Sequence, residues 1–439
     1  MPGNSDSSPM SALEALHRLR HERPRWTALA LATLAVLLTW PAVDWWLRSI
    51  EVAPQFRFWD FGAYGNAVAS WEAGEPLYTR NDDGGFHGSF LYPPFSVLLF
   101  YPFVELFEPE TTRLAWSVVT VGVMWVGMQA LVASLGRSLS VPERLLGLVA
   151  LLGFQPLLLG VKMGQTAAFT GGMLALAGAG VMNDSKGRRF DDAWATLGAA
   201  ATAFVGLLKL PFAPAGAHLL RSKRRFAAAV GTGVLLLVVS LAVFGVDSHR
   251  LYVDVLAWGV ESGGSARNPA LWLPPYYRPL AWIPGAIALR LVASAIVATY
   301  AVLAVDADRE VFALGVASIP LLAPLAYTYY FTVVLPAAVV LLAVEFDHPS
   351  GRPALPLVGF LCVQFHSYGL KFVVDVVPQF LPAFSALRPA YFLLQPGLWG
   401  NLVLVGLAAA RAAERVELPA WVEARLAAMQ SDETSLQGD

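Results

Sequence analysis

The sequence predicts an all-α polytopic integral membrane protein. Of its 439 residues, 56% are hydrophobic and only 14% charged, against about 25% charged in soluble domains. That is too little polar side chain to coat the roughly three soluble domains the length alone would suggest. Apolar stretches near the ~20 residues needed to cross a bilayer recur along the chain, enough for about ten to twelve transmembrane helices. The 14 Trp and 13 Tyr suit helix ends anchored at the membrane interface. A net charge of −2 lacks the basic stripe that a nucleic-acid partner needs. One cysteine, Cys362, excludes a disulfide framework and Cys-based metal sites.

In chain order, residues 1–25 are polar and end in Arg18, Arg20, Arg23 and Arg25. The apolar run 26–47 is too long for a secretory signal and no small-residue cleavage site follows. It is read as the first transmembrane helix, behind a cytoplasmic N-terminal segment 1–25. Residues 48–89 hold three Arg against six Asp/Glu, with many aromatics, Gly and Pro. This predicts a structured first extracytoplasmic loop carrying a short amphipathic helix over about 61–71. Further apolar segments fall near 90–107, 112–135, 144–161, 166–182, 193–220, 226–246, 283–305, 310–323, 326–345, 355–381 and 391–410.

Three basic connectors, Arg137/Arg144, Lys186/Arg188/Arg189 and 221–225, cannot all be cytoplasmic by simple alternation. A break of 193–220 at Lys209-Leu210-Pro211 into two short arms resolves this, since Pro and an intramembrane Lys both favour a break. Residues 247–282 form a second polar stretch, read as a large interfacial loop. The transmembrane domain is therefore 26–410, followed by a charged cytoplasmic tail, 411–439, helical to about residue 429. No internal repeat is visible.

Few residues in this chain can carry chemistry. Asp60, in Phe58-Trp59-Asp60-Phe61, is a carboxylate among aromatics, a setting that raises its pKa and suits a general base. The competing reading is an N-cap for the helix that follows. Lys209 lies inside an apolar segment, where a lysine costs ~2.5–3.5 kcal/mol on insertion scales. An anionic ligand, a carboxylate or a wet cavity must offset that, unless the side chain snorkels. Lys162 and Gln165 read as helix-end polar groups. Lys371 and Asp375, four apart, read as a helical ion pair, with His366 one turn earlier. Asp306-Ala307-Asp308 is formally a D-x-D but sits in a tight charged turn. No phosphate-binding Gly-rich loop or G-x-S-x-G elbow is present, and no His/Cys/carboxylate spacing marks a metal site.

An ordered series covers about residues 60–342: Asp60-Phe61-x-x-Tyr64, Ala73-Gly74-x-Pro76-Leu77-Tyr78, Tyr92-Pro93-Pro94-Phe95, Gly164-Gln165-Thr166, Leu208-Lys209-Leu210-Pro211, and Ala323-Pro324-Leu325-Ala326-Tyr327-Thr328-Tyr329-Tyr330. It resembles glycosyltransferase family 87, polyprenyl-phosphate-mannose-dependent mannosyltransferases with a GT-C membrane fold. The resemblance implies a metal-independent, cofactor-free, inverting hexose transfer at the extracytoplasmic face of the plasma membrane. A polyprenyl-phosphate-linked sugar is the implied donor, a lipid or glycan the acceptor, and membrane lipid the surroundings. It further implies Asp60 as the base and Lys209 as a donor-phosphate ligand. Arg267 and Arg278 of the second loop are expected to assist Lys209, and Tyr64, Tyr92, Gln165, Tyr329 and Tyr330 are the expected substrate-binding residues. The family often has Trp and His after the late Pro, where this chain has Tyr327, Tyr329 and Tyr330. The alternatives are a transporter or flippase of a lipid-linked glycan, which would concentrate polar groups at mid-membrane, and a non-catalytic membrane scaffold.

Overall fold

A computed structural model describes residues 18–417, except 53–54, 56–57, 83, 87–89, 185–188, 264–275, 278, 281–282 and 325. Side chains of 189–191, 262–263 and 276 are also outside the described set. The helical tail expected to about residue 429 falls beyond these limits.

The described chain is mainly helical, and its named strands form one two-residue antiparallel pair. Its helices are α1 (Pro24–Ser49), α2 (Phe61–Glu72), α3 (Val97–Leu106), α4 (Pro109–Ser134), α5 (Val141–Leu152), α6 (Gln155–Met163), α7 (Ala167–Asp184) and α8 (Arg189–Leu208). After a 3-10 segment, Leu210–Arg221, come α9 (Lys223–Gly263), α10 (Ala286–Leu303), α11 (Asp308–Leu322), α12 (Leu335–Asp347), α13 (Ala354–Gln364), α14 (His366–Lys371), α15 (Val377–Phe380) and α16 (Pro396–Ala413). The strand pair sets β1 (Tyr276–Tyr277) against β2 (Ala326–Tyr327), with Tyr277 opposite Ala326.

Among the described residues, six helices are long and apolar enough to cross a membrane, or up to eight if two bent pairs each count once. The fold is thus a polytopic helical membrane bundle. Other apolar stretches become helices too short or too mixed to count alone. Of these, α7 and α11 are almost wholly buried, so they pack against protein rather than lipid. Small residues permit that closeness: a Cβ on Gly127 would lie 2.3 Å from the Gly172 carbonyl oxygen, and one on Gly180 2.6 Å from that of Trp194. Membrane bundles pack closely by this means because lipid offers no hydrophobic drive between helices.

The expected break at Lys209 is present. There the backbone is extended (φ −136°, ψ 96°), and Pro211 and Pro214 follow. Arg224, just past the return arm, donates to Asp184 at 2.6 Å and pairs with Asp192. The arms α8 and Leu210–Arg221 therefore begin and finish at one end of the molecule, with Lys209 at the far tip. Arg221 and Arg225 both engage Asp308, so the D-x-D turn is held by guanidiniums.

Two spans are bent: α5–α6 by 69° and α13–α14 by 60°. The bends meet, and their broken backbone is satisfied by side-chain amides. Gln364 Nε2 donates to the Gly153 carbonyl at 3.0 Å, and Gln155 N–H donates to Gln364 Oε1 at 2.9 Å. Apolar surroundings offer no water to do this.

Two segments differ from the sequence reading. The apolar stretch near 90–107 yields a 3-10 turn, Pro94–Ser96, leading into the ten-residue α3, itself about 15 Å long. It stays at one end, where Thr112 Oγ1 donates to the Phe103 and Phe107 carbonyls at 3.0 Å each. The polar stretch from 247 is helical to Gly263 rather than a loop, continuing α9 beyond a kink at Gly245 (φ 70°). That left-handed φ is one that Gly adopts freely.

Candidate active site

Asp60 is held by backbone and side chain together. Its N–H donates to the Met163 carbonyl at 3.1 Å, and the N–H of Phe58 donates to the Lys162 carbonyl at 2.9 Å. The turn carrying Asp60 thus hangs on the end of α6. That end closes at Gly164 in the left-handed region (φ 76°), where a Cβ would come within 2.7 Å of Phe61 Cβ. Asp60 precedes α2, but its carboxylate makes no capping bond. It accepts instead from Gln165 Nε2 at 2.6 Å. Gln165 is fixed in turn: its Oε1 accepts from Tyr92 at 3.2 Å and Tyr64 at 3.4 Å. Tyr64 is locked by stacking on Phe100, ring centroids 4.0 Å apart. The carboxylate is therefore aimed by a rigid aromatic and amide frame, not consumed by helix capping.

Lys209 sits at the tip of the α8 hairpin and is 8% exposed. Its ammonium lies 4.7 Å from the Tyr330 ring, 5.1 Å from Tyr92, 5.6 Å from Phe212 and 5.7 Å from Tyr329. Among the described residues it forms no ion pair and no hydrogen bond. Ring faces attract a cation at these distances, but they leave its charge unneutralised. Burial pushes the Asp60 carboxyl above the usual carboxylate range, while the Gln165 hydrogen bond and the Lys209 charge pull it partly back.

Both groups open onto one cavity of about 540 Å³. Asp60, Tyr64, Tyr92, Gln165, Lys209, Tyr329 and Tyr330, all expected from the sequence, line it. Arg267 and Arg278 lie outside the described residues, so the structure does not bear on them. The sequence reading missed the opposite wall: Tyr252, Val255, Leu256 and Trp258 from the part of α9 beyond Gly245. Tyr252, Val255 and Leu256, at i, i+3 and i+4, were the available signal, and the assumption of a loop hid it. Elsewhere, Lys371 and Asp375 form the expected ion pair at 2.6 Å, and buried His366 Nδ1 accepts from Gly397 N–H at 3.2 Å.

The helical membrane bundle thus holds the Asp60 carboxylate and the Lys209 ammonium on one aromatic cavity. The family comparison gives the class: the model of glycosyltransferase family 87 matches residues 90–326. That is more than half of the chain, which belongs to this family and is a membrane glycosyltransferase. The matched span includes Tyr92, Gln165 and Lys209; Asp60, Tyr329 and Tyr330 lie outside it and join it through the cavity. No curated protein and no solved structure matches the chain.

Proposed function

We propose that the protein moves a hexose, mannose in the first instance, from a polyprenyl-phosphate donor to a lipid or glycan hydroxyl, with inversion, at the extracytoplasmic face of the plasma membrane. The observation that carries this is the buried Lys209 ammonium, which forms no ion pair among the described residues, on the same cavity as Asp60. An unneutralised buried cation calls for an anion, and the donor's phosphate supplies one.

In the reaction, the acceptor oxygen attacks the anomeric carbon while the carbon–oxygen bond to phosphate breaks. The phosphate leaves with the bonding pair beside Lys209. The hydroxyl proton passes to Asp60, late in the step, when the new bond has made it acidic. A phosphate leaves as an anion and needs no general acid, so one carboxylate suffices where glycoside hydrolysis commonly uses two. Tyr329 and Tyr330 offer hydroxyls toward phosphate and sugar, while Tyr92 lines the same cavity with its hydroxyl held on Gln165. Arg267 and Arg278 remain part of this proposal as assisting cations.

The test is transfer of radiolabel from a panel of polyprenyl-phosphate sugars in membranes with and without the protein. Protein-dependent transfer from the mannose donor is expected. No transfer from any polyprenyl-phosphate donor would remove this reading of the donor.

A further inference from the structure

Asp44 lies in the first membrane span and is 1% exposed. Its carboxylate is held by three elements. Arg48, one turn along α1, donates Nε at 2.9 Å and Nη2 at 3.1 Å. Tyr368 of α14 donates at 2.6 Å, and Lys162 at the end of α6 completes the set. A buried carboxylate in a span is costly unless paired, and this one is fully engaged, so it is not a candidate proton carrier. Its position is more informative. Lys162 is the same residue whose carbonyl receives the Phe58 N–H, and Met163, beside it, receives the Asp60 N–H. One residue beyond Gly164, Gln165 binds the Asp60 carboxylate. Residues 162–165 thus form a template that grips the Asp60 turn from both backbone and side chain.

We infer that Asp44 and Lys162 are positioning residues for Asp60, the pair fixing the α6 terminus so that the carboxylate stays at attack geometry. The inference rests on the reading of Asp60 as the base. Lys162 acts through the backbone, whereas Gln165 and Lys209 act on the carboxylate's charge. Supporting groups of this kind matter because a misplacement of about 1 Å can cost ~100-fold in rate.

The experiment compares Lys162→Met, Lys162→Arg and Tyr368→Phe in the full-length protein in detergent or vesicles. Lys162→Met is expected to lower kcat by about 10- to 100-fold, with donor KM and the acid limb of the pH profile unchanged. Lys162→Arg keeps the ion pair and restores kcat. Tyr368→Phe removes a bond to Asp44 without touching Lys162 and leaves kcat as in the parent. Hydrogen exchange supplies a readout independent of turnover: in Lys162→Met the amides of Phe58 and Asp60 lose protection while those within α6 keep it. Wild-type kcat in Lys162→Met, equal losses in Tyr368→Phe, or unaltered exchange at 58 and 60 would each overturn the inference. If the parent protein transfers no sugar at all, the base assignment falls, and the exchange data still decide whether the pair holds the turn.

Discussion

At the residue scale the chemistry comes down to two groups whose environments are opposed. Asp60 is a carboxyl made reluctant to ionise by burial, and Lys209, a cation that forms no ion pair among the described residues, makes that ionisation easier. Asp60→Asn keeps size and most hydrogen bonding but cannot accept a proton, so transfer should fall by about 10²–10⁴ with donor binding retained. Thermal stability at neutral pH should not fall. A raised carboxyl pKa contributes stability below the unfolded value and loses it as pH rises through the folded one, so little of that contribution is left to remove. The pH profile carries a further sign. As the proposed base, Asp60 must be ionised to act, so activity is expected to drop as pH falls through its raised pKa, placing the acid limb above the ordinary ~3.9 of aspartate. Lys209→Met keeps the stem but removes the charge that favours the anion. Its acid limb should move to still higher pH, and donor affinity should weaken. If both the limb and donor affinity match the parent, Lys209 is a packing residue.

At the element scale the site is made by interruptions of helices rather than by helices themselves. Gly164 ends α6, Lys209 breaks the α8 hairpin, Gly245 kinks α9, and the strand pair precedes Tyr329. Irregular backbone in a membrane protein is tolerated where it lines a cavity or is buried in protein; Lys209 and Tyr327 line the cavity, and Gly164 packs against Phe61. Gly164→Ala tests this directly. Its φ of 76° is left-handed, and the new methyl would meet Phe61. A loss of about 1–2 kcal/mol in stability is expected from the backbone conformation alone, read by thermal unfolding, together with a fall in kcat as the Asp60 turn is pushed aside. This scale also explains what could be read in advance. The Lys209 break was legible because a lysine beside a proline is conspicuous in an apolar run, and the short helix α2 because its aromatic pattern has helical spacing. Asp60 was legible as an oddity, but only the fold excludes its capping role, since that depends on where Gln165 points. The Asp44–Lys162 link joins residues far apart in sequence, with nothing local to mark it. The outer half of α9 was hidden because its charged residues imitate a loop, while Gly245, which explains the change of direction, is one glycine among 37.

At the scale of the whole molecule the charges sort by end. The start of α1 meets the 344–353 region: Arg23 lies over the Phe346 ring, and Trp26 Nε1 donates to the Pro353 carbonyl at 3.3 Å. At that end Arg411 binds Glu345 at 2.6 Å and Arg309 binds Asp347 at 3.0 Å. The Arg415 carbonyl receives the Val305 N–H at 2.7 Å, just before the Asp308 turn that Arg221 and Arg225 engage. The basic connectors around 221–225 thus gather with the N-terminus of α1. Because α3 does not cross and the α8 hairpin returns, they can share one side, as the alternation puzzle required. The Asp60 turn sits at the opposite end of α1, whose 26 residues span about 39 Å, more than the ~30 Å hydrocarbon core. Exposed Trp45, Trp46 and Trp59 ring that level, as interfacial tryptophans do. The positive-inside rule then predicts the basic end in the cytoplasm and the cavity outside, the side on which the proposed lipid-borne donor would present its phosphate. Single cysteines decide it, introduced after Cys362→Ser. Asn81→Cys, in the first loop, should react with an impermeant thiol reagent in intact cells, whereas Ser350→Cys, at the basic end, should react only after lysis. The reverse pattern would place Asp60 on the cytoplasmic side and with it any donor the enzyme uses.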